Sequence, residues 1–289
     1  MVAELTWRPV GLADVPALVT LAQACLDQDG GMPSLATPDT VAGLFVGDAG
    51  IAGFDELDEL VAVAALSWDA QDHPIASGLV HPSYRRQGFG EQLVAWCREH
   101  ARAGPVTVVA ETMSPEAESL FGSSGLRRTG AEAVMRHPLD HISRISLPRG
   151  LESLAYGPDT AAAFHAAYRL AFAERPGFPD TPADAWHAGL VDDPDFRPDD
   201  SRVAIDEDGM PAGYVIVSGD WIDQVGVVPA WRGQRLGAHL TVRSLSAIKA
   251  DDGRHAWLAV TLGNPARILY ERLGFENYGT RARYVDGRT

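Results

Sequence analysis

The chain contains an internal repeat, and a duplicated unit restricts the folds that it can adopt. Residues 75–82 lead into a glycine-containing stretch at 85–90, and residues 222–229 lead into a similar stretch at 232–237. The prolines of these two copies, Pro82 and Pro229, lie 147 residues apart. A second pair of similar segments, 120–126 and 269–275, has an offset of 149 residues. Two separate signals at nearly one offset predict two copies of one domain.

The length of the chain agrees with this duplication, since 289 residues suit two domains of about 140 residues each. We predict domains at residues 1–140 and 146–289, joined by a segment near 137–149 that contains Pro138 and Pro148. Each half reads as a strand, a helix, a polar stretch, two or three strands, a glycine loop, a long helix, a strand, a helix and a last strand. This order predicts an α/β fold with a mixed central sheet flanked by helices.

The composition excludes several classes of function. A formal charge of −15 repels a phosphate backbone, so no nucleic-acid partner is expected, and it mildly favours a cationic acceptor such as an amine. The two cysteines, Cys25 and Cys97, lie in apolar helical patterns, which indicates a reducing, cytoplasmic location. The first residues do not resemble a signal peptide, and the apolar run at 61–66 is too short to cross a bilayer. No membrane role and no metal site are predicted.

A glycine turn between a strand and a helix predicts an anion-binding site in each half. The first N–H groups of a helix have no partner within the helix, and the helix dipole adds partial positive charge. Glycine lets the backbone approach a ligand closely and adopt a positive φ. Arginines in the turn can add charge-assisted hydrogen bonds to a phosphate; they are Arg85, Arg86, Arg232 and Arg235. A glycine pair alone indicates only a turn, but the strand, the helix and the second copy favour a diphosphate site.

The turn also resembles a known motif. Residues 80–90 follow the pattern V-x-P-x-x-R-x-x-G-x-G, which is similar to the acetyl-CoA motif of the GNAT family of N-acetyltransferases. Residues 227–237 match except that Arg235 replaces the middle glycine, and we expect Arg235 to reach a phosphate if its φ stays negative. The resemblance covers nearly the whole chain and extends to the tandem, mycothiol synthase-like members of the family.

This resemblance implies which residues contact acetyl-CoA. In the first copy they are Gly78, Leu79, Val80, Arg85, Arg86, Gln87, Gly88, Phe89 and Gly90. In the second copy they are Val225, Gly226, Val227, Arg232, Gly233, Gln234, Arg235, Leu236, Gly237 and Asn264. The strand residues would bond the pantetheine arm through their backbone, and the loop residues would hold the diphosphate.

Acetyl transfer to an amine needs a base for the proton of the amine and a donor for the departing thiolate. The resemblance implies a tyrosine donor four residues before a Gly-Phe pair, which assigns this role to Tyr270, whereas the first copy has Phe121. Asp223 is the base candidate, six residues before Pro229, and the first copy has Ala76 there. We therefore expect the second half to catalyse, while the first binds acetyl-CoA without turnover or only supports the fold.

Several alternatives stay open at this point. Asp220 and Glu271 are less well placed bases, and His81 beside the proline is read as a surface turn residue. The resemblance implies a glutamate eight residues before the proline, where Trp221 stands, so the acceptor is an unspecified small-molecule amine. Further alternatives are a mycothiol synthase-like or antibiotic-modifying enzyme and a non-catalytic acetyl-CoA-binding protein. We expect a monomer or a weak homodimer, because fusion of two copies can replace a dimer contact.

Overall fold

The structure is a computed structural model, and it describes residues 4–47, 49–102, 104–175 and 177–287. The first half contains helices α1 (Val15–Asp29), α2 (Pro38–Phe45), α3 (Phe89–His100) and α4 (Pro115–Ser123). Its strands are β1 (Thr6–Pro9), β2 (Ala49–Phe54), β3 (Leu60–Trp68), β4 (Pro74–Val80), β5 (Thr107–Ala110) and β6 (Leu126–His137).

The second half repeats this series of elements. Its helices are α5 (Ala161–Phe172), α6 (Ala183–Val191), α7 (Leu236–Ala250) and α8 (Ala266–Leu273). Its strands are β7 (Leu151–Ala155), β8 (Arg202–Asp206), β9 (Pro211–Ser218), β10 (Trp221–Val227), β11 (Ala256–Thr261) and β12 (Glu276–Asp286). The α/β fold with a mixed sheet flanked by helices is therefore confirmed.

The chain forms two compact units whose membership differs from two sequential halves. The first unit is Met1–Val134 together with Tyr278–Thr289, and the second is Met135–Asn277. Most of β12 therefore belongs to the first unit, although it follows the second unit in the sequence. The division at residues 140–146 stays a prediction about the duplicated sequence rather than a description of the compact units.

In the first unit the strands follow the order β1-β2-β3-β4-β5-β12-β6. β4 and β5 are parallel and pair at Ile75 and Ala76, near the start of β4, so they part before the glycine loop. β12 runs antiparallel to β5, with Ala282 opposite Ala110. The unit has apolar clusters on both faces of the sheet, one beneath α1 and α2 and one beneath α3. β3 supplies both clusters because its first seven residues are all buried.

The second unit has the strand order β11-β10-β9-β8-β7. β10 and β11 are parallel and paired at Trp221 with Trp257, after which they separate. An aromatic-rich core lies under α5 and α6, where Phe164, Trp186 and Tyr214 are buried. The part of β10 after Trp221 is therefore unpaired on its β11 side, and it leads to the loop that begins α7.

Most predicted helices and strands are present, with bounds that differ by a few residues. The order of elements predicted from the sequence did not include β2 and α2, and its polar stretch in the second half contains α6. No helix in the described parts of the chain is both long and apolar enough to cross a membrane.

Candidate active site

The two glycine loops have the same backbone conformation although their glycines occupy different positions. In the first loop Arg86 and Gly88 have φ of 62° and 88°, and in the second Gly233 and Arg235 have φ of 76° and 66°. Each loop thus places one glycine and one arginine in the left-handed region. The condition that the sequence analysis attached to Arg235, a negative φ, is not met. Arg235 holds the position of Gly88 before the long helix, at a conformational cost of about 1 kcal/mol.

The first arginine of each loop forms hydrogen bonds with protein groups. The Arg85 guanidinium donates to both carboxylate oxygens of Asp29, at 3.0 and 2.5 Å, and its Nε donates to the carbonyl of Val80 at 3.3 Å. Arg232 repeats this arrangement, with Nε donating to the carbonyl of Val227 at 3.2 Å and a terminal nitrogen bonding Glu174 at 2.9 Å. These two arginines therefore connect each loop to the end of the first long helix of its half, α1 through Asp29 and α5 through the carbonyl of Ala171 and the nearby Glu174.

A cavity of about 530 Å³ lies at the first loop. It brings together the predicted residues Gly78, Leu79, Val80, Arg85, Arg86, Gly88, Phe89 and Gly90. Four carboxylates also line it, namely Asp29, Glu91, Glu116 and Asp286, against three arginines. Asp29 pairs with Arg85, and Asp286 pairs with Arg98 at 2.7 Å. The remaining charge in this first-loop cavity is therefore not positive, which disfavours a ligand with several phosphates.

A second cavity, of about 850 Å³, lies at the second loop. It brings together the predicted residues Val227, Arg232, Gly233, Arg235, Leu236 and Gly237. Sequence reasoning missed two further arginines of the lining, Arg144 and Arg272. Among its described lining residues there are four arginines and no carboxylate, in a chain with a formal charge of −15. This second-loop cavity is the more favourable of the two for an anion.

The other residues assigned to the second loop lie nearby but do not line this cavity. Val225 and Gly226 lie on β10, and a Cβ at Gly226 would approach the Tyr214 ring to 2.5 Å. The Gln234 side chain donates to the carbonyl of Ala230 at 3.0 Å, within the loop. Asn264 accepts a hydrogen bond from the N–H of Ala266 at 2.9 Å, so its side chain stabilises the start of α8.

Asp223 lies at a β-bulge in β10. The pairing with β9 shifts between Ile222 and Gln224, so Asp223 is the extra residue of the bulge, where a strand bends and re-aims a side chain. Desolvation by the surrounding atoms, helped by the nearby Asp193 carboxylate, raises the pKa of Asp223 to about 6. The side chain keeps access to solvent. A carboxylate with these properties can accept a proton near neutral pH.

Tyr270 lies on α8 and is buried, with 8% of its surface exposed. Its ring meets Phe275 edge-on, with centroids 5.8 Å apart. Burial raises the pKa of the Tyr270 hydroxyl to about 12, so it stays protonated at neutral pH. The corresponding Phe121 of α4 packs against Tyr284, with centroids 4.8 Å apart, and cannot donate a proton.

The alternative bases have other contacts. Glu271 is exposed and pairs with Arg267 at 2.8 Å. Burial raises the pKa of Asp220, and its carbonyl accepts from the N–H of Trp257 at 2.9 Å. The His81 ring accepts from the N–H of Ser83 at 3.3 Å. His81 therefore stabilises the turn after β4, in agreement with its interpretation as a turn residue.

Comparison with known proteins identifies the family. Residues 31–120 match the acetyltransferase (GNAT) family and residues 199–277 match the acetyltransferase (GNAT) domain. A mycothiol acetyltransferase of Thermomonospora curvata is 30% identical, over 95% of both chains. The chain belongs to the GNAT acetyltransferase family. Another mycothiol acetyltransferase, from Kineococcus radiotolerans, is 31% identical over 72% of this GNAT chain and 71% of its own.

Solved structures confirm the GNAT fold along the chain. A GCN5-related N-acetyltransferase from Sphaerobacter thermophilus matches with a TM-score of 0.76 and 24% identity, covering 97% of this chain and 95% of its own. A tandem GNAT protein from the clavulanic acid biosynthesis pathway matches with a TM-score of 0.61 and 20% identity, covering 98% of each chain. The prediction of a tandem GNAT acetyltransferase is confirmed. Among the described residues, no group of three or more His, Cys, Asp or Glu side chains is placed to hold a metal ion.

Proposed function

We propose that this GNAT protein moves the acetyl group of acetyl-CoA to a primary amine of a small molecule, and that the second unit performs the reaction. The proposal rests on one observation, that β10 carries both a candidate base and a residue of the arginine-rich cavity. Asp223, with its raised pKa, lies four residues before Val227, which lines the arginine-rich second-loop cavity. A proton acceptor and an anion site thus lie along one strand.

The second-loop cavity fits the phosphates of CoA. The left-handed residues before α7 leave the first N–H groups of that helix available, and the lining adds positive charge from arginine side chains. Bound acetyl-CoA supplies the activated thioester. The loop residues hold its phosphates, and the backbone of Val225 to Val227 lies where it can orient the pantetheine arm.

In this proposal Asp223 takes the proton of the attacking amine. With a pKa of about 6 it is ionised at neutral pH and is still more basic than an ordinary aspartate, whose pKa is 3.8. This combination is what a general base requires. The neutral amine is then the nucleophile that attacks the thioester carbonyl.

Tyr270 stabilises the departing thiolate. Its pKa of about 12 lies above that of a free thiol, about 8.5, so full proton transfer from Tyr270 to the sulfur is uphill. Donation of a hydrogen bond from the protonated hydroxyl is the role that this pKa favours. The thiolate leaves with that stabilisation and takes its proton from solvent.

The first unit is proposed to be non-catalytic. Phe121 and Ala76 stand where the second unit has Tyr270 and Asp223, so both the proposed hydrogen-bond donor and the proposed base are missing. Its first-loop cavity also has four lining carboxylates. A cavity of about 530 Å³ still favours a second candidate function for this unit, the binding of an apolar or weakly charged acyl carrier without turnover.

The acceptor is proposed from the relatives and from the aromatic residues near Asp223 in the sequence. Because these relatives are named mycothiol acetyltransferase, they support a small-molecule amine, with a mycothiol precursor as one specific candidate. An antibiotic amine stays the other candidate from the sequence analysis. Trp221 stands where the resemblance implies a glutamate, and its ring stacks on Trp257 with centroids 6.0 Å apart. This aromatic pair begins two residues before Asp223 on β10, and its position favours an acceptor with an apolar face.

The test is release of free thiol from acetyl-CoA with a panel of small amines, compared between the unaltered protein and Tyr270→Phe. Loss of one positioned hydrogen-bond donor to the negative charge that develops on the leaving group lowers kcat by about 10²–10³-fold. Tyr278→Phe, the same exchange made on β12, is the matched control and should leave kcat unchanged. Tight CoA binding without thiol release by the unaltered protein would support the non-catalytic alternative instead.

A further inference from the structure

The segment between the two repeats, residues 138–149 (the connecting segment), is held against the second unit. The N–H of Leu139 donates to Nδ1 of His137 at 2.9 Å, so Nε2 of the same ring carries the proton and donates to the carbonyl of Leu273 at 3.0 Å. The Lys249 ammonium donates to the carbonyl of Leu139 at 2.7 Å. The Leu139 side chain is buried. The start of the connecting segment is therefore fixed to α7 and to the end of α8.

A second anchor fixes the middle of the connecting segment. Nδ1 of His239, in the first turns of α7, donates to the carbonyl of Ile145 at 2.7 Å. This bond holds the neighbouring Ser143 and Arg144 at the second-loop cavity, which they line. The sequence reading treated these residues as a linker, whereas the structure uses them as a wall of the cavity.

The charges of this cavity are not all occupied by protein groups. Arg232 is bonded to Glu174. Among the described residues, no carboxylate lies within 4.0 Å of the guanidinium groups of Arg144, Arg235 or Arg272. Three exposed cations that line one cavity without acidic partners give it a positive potential that favours an anion.

We infer that the connecting segment completes the cofactor site, with Arg144 binding a phosphate of the nucleotide half of CoA. This inference rests on the proposed function and adds to it a residue from outside the GNAT motif. The anchor at His239 and Ile145 sets the position of Arg144, and Arg235 and Arg272 supply the neighbouring charges. The phosphate is either the 3′-phosphate of the ribose or part of the diphosphate, since both have the chemistry that a guanidinium recognises.

Calorimetric titration of the full chain tests the inference, with CoA, 3′-dephospho-CoA and pantetheine as ligands. We expect Arg144→Ala to weaken CoA binding by about tenfold or more, because a hydrogen-bonded ion contact is lost. If Arg144 binds the 3′-phosphate, dephospho-CoA affinity stays the same; if it binds the diphosphate, both nucleotides weaken equally. Pantetheine, which has no phosphate, should bind both proteins alike.

Two further variants separate a binding role from a structural one. Arg149→Ala removes an exposed arginine of the same connecting segment that does not line the cavity, and it should bind CoA normally. Arg144→Lys should recover part of the affinity. CoA binding by Arg144→Ala at the unaltered level, or an equal loss with pantetheine, would overturn the inference and leave the proposed function intact. Failure of the unaltered protein to bind CoA would remove the proposed function as well.

Discussion

Replacement of Asp223 by asparagine should make the protein more stable and less active at the same time. The pKa of Asp223 is raised because its charged form is desolvated and lies near Asp193. The folded state therefore disfavours the carboxylate that the proposed reaction requires. An asparagine at this position keeps the shape of the side chain and removes the charge, so the Asp223→Asn variant separates the stability of the bulge from its chemistry.

The size of this stability difference follows from the pKa of Asp223. A rise from 3.8 to about 6 corresponds to about 3 kcal/mol at about 1.4 kcal/mol per unit. Solvent access to Asp223 screens its charge, so we reduce this figure to about 1 kcal/mol. The sign depends on pH. The folded state binds the proton more tightly, so the penalty grows as pH rises from about 4 to 6, is complete above pH 6 and vanishes below the unfolded value of 3.8.

Urea denaturation of the Asp223→Asn variant and the unaltered protein at pH 7.5 and at pH 4 measures this difference. We expect the variant to be more stable by about 1 kcal/mol at pH 7.5 and by close to zero at pH 4. Asp208→Asn, in the exposed turn between β8 and β9, is the matched control and should show no such pH dependence. The rate of thiol release should fall by about 10²–10⁴-fold in Asp223→Asn. A variant that is less stable at pH 7.5, or a stability difference that does not change with pH, would refute the reasoning.

Two further predictions concern the loops. Arg235→Gly should relieve a left-handed φ of 66°, which gains about 1 kcal/mol of stability but loses part of that gain to the flexibility of glycine in the unfolded chain. Thermal unfolding should therefore show equal or higher stability for this variant, and calorimetry should show weaker CoA binding. A loss of more than about 1 kcal/mol in stability would contradict the backbone argument. Arg85→Ala should leave the Asp29 carboxylate, whose side chain is only 7% exposed, without its partner and destabilise the first unit by about 3 kcal/mol. Arg86→Ala in the same loop is the control for Arg85 because Arg86 is exposed, and equal melting temperatures for the two variants would show that the ion pair with Asp29 is not stabilising.

The strand, turn and helix around each loop could be predicted because their signals are local. Glycines and prolines mark the turns, and the apolar pattern of residues 236–250 is that of a helix packed on a sheet. The positive φ of Arg235 could not be read in this way, because an arginine carries no local signal for the left-handed region. It became visible only when its loop was compared with the one that has Gly88 at the same place.

The charge balance of the two cavities depends on residues that are distant in sequence. Asp29 on α1 and Asp286 on β12 line the first-loop cavity, and Arg144 of the connecting segment lines the second-loop cavity. No sequence motif around the loops indicates that these residues line the cavities. In the sequence the first copy matches the acetyl-CoA motif more fully, because Arg235 replaces a glycine in the second, whereas the cavity charges favour the second copy as the site for phosphates.

The position of β12 has a consequence for the synthesis of the protein. β5 lies between β4 and β12, so one edge of β5 has no partner until residues 278–286 leave the ribosome. At 5–20 residues per second, translation from β5 to β12 lasts roughly 10–30 s. Throughout that interval the nascent first unit presents an open strand edge, the kind of surface that pairs with other chains. The first part of the protein to be made is thus among the last to finish folding.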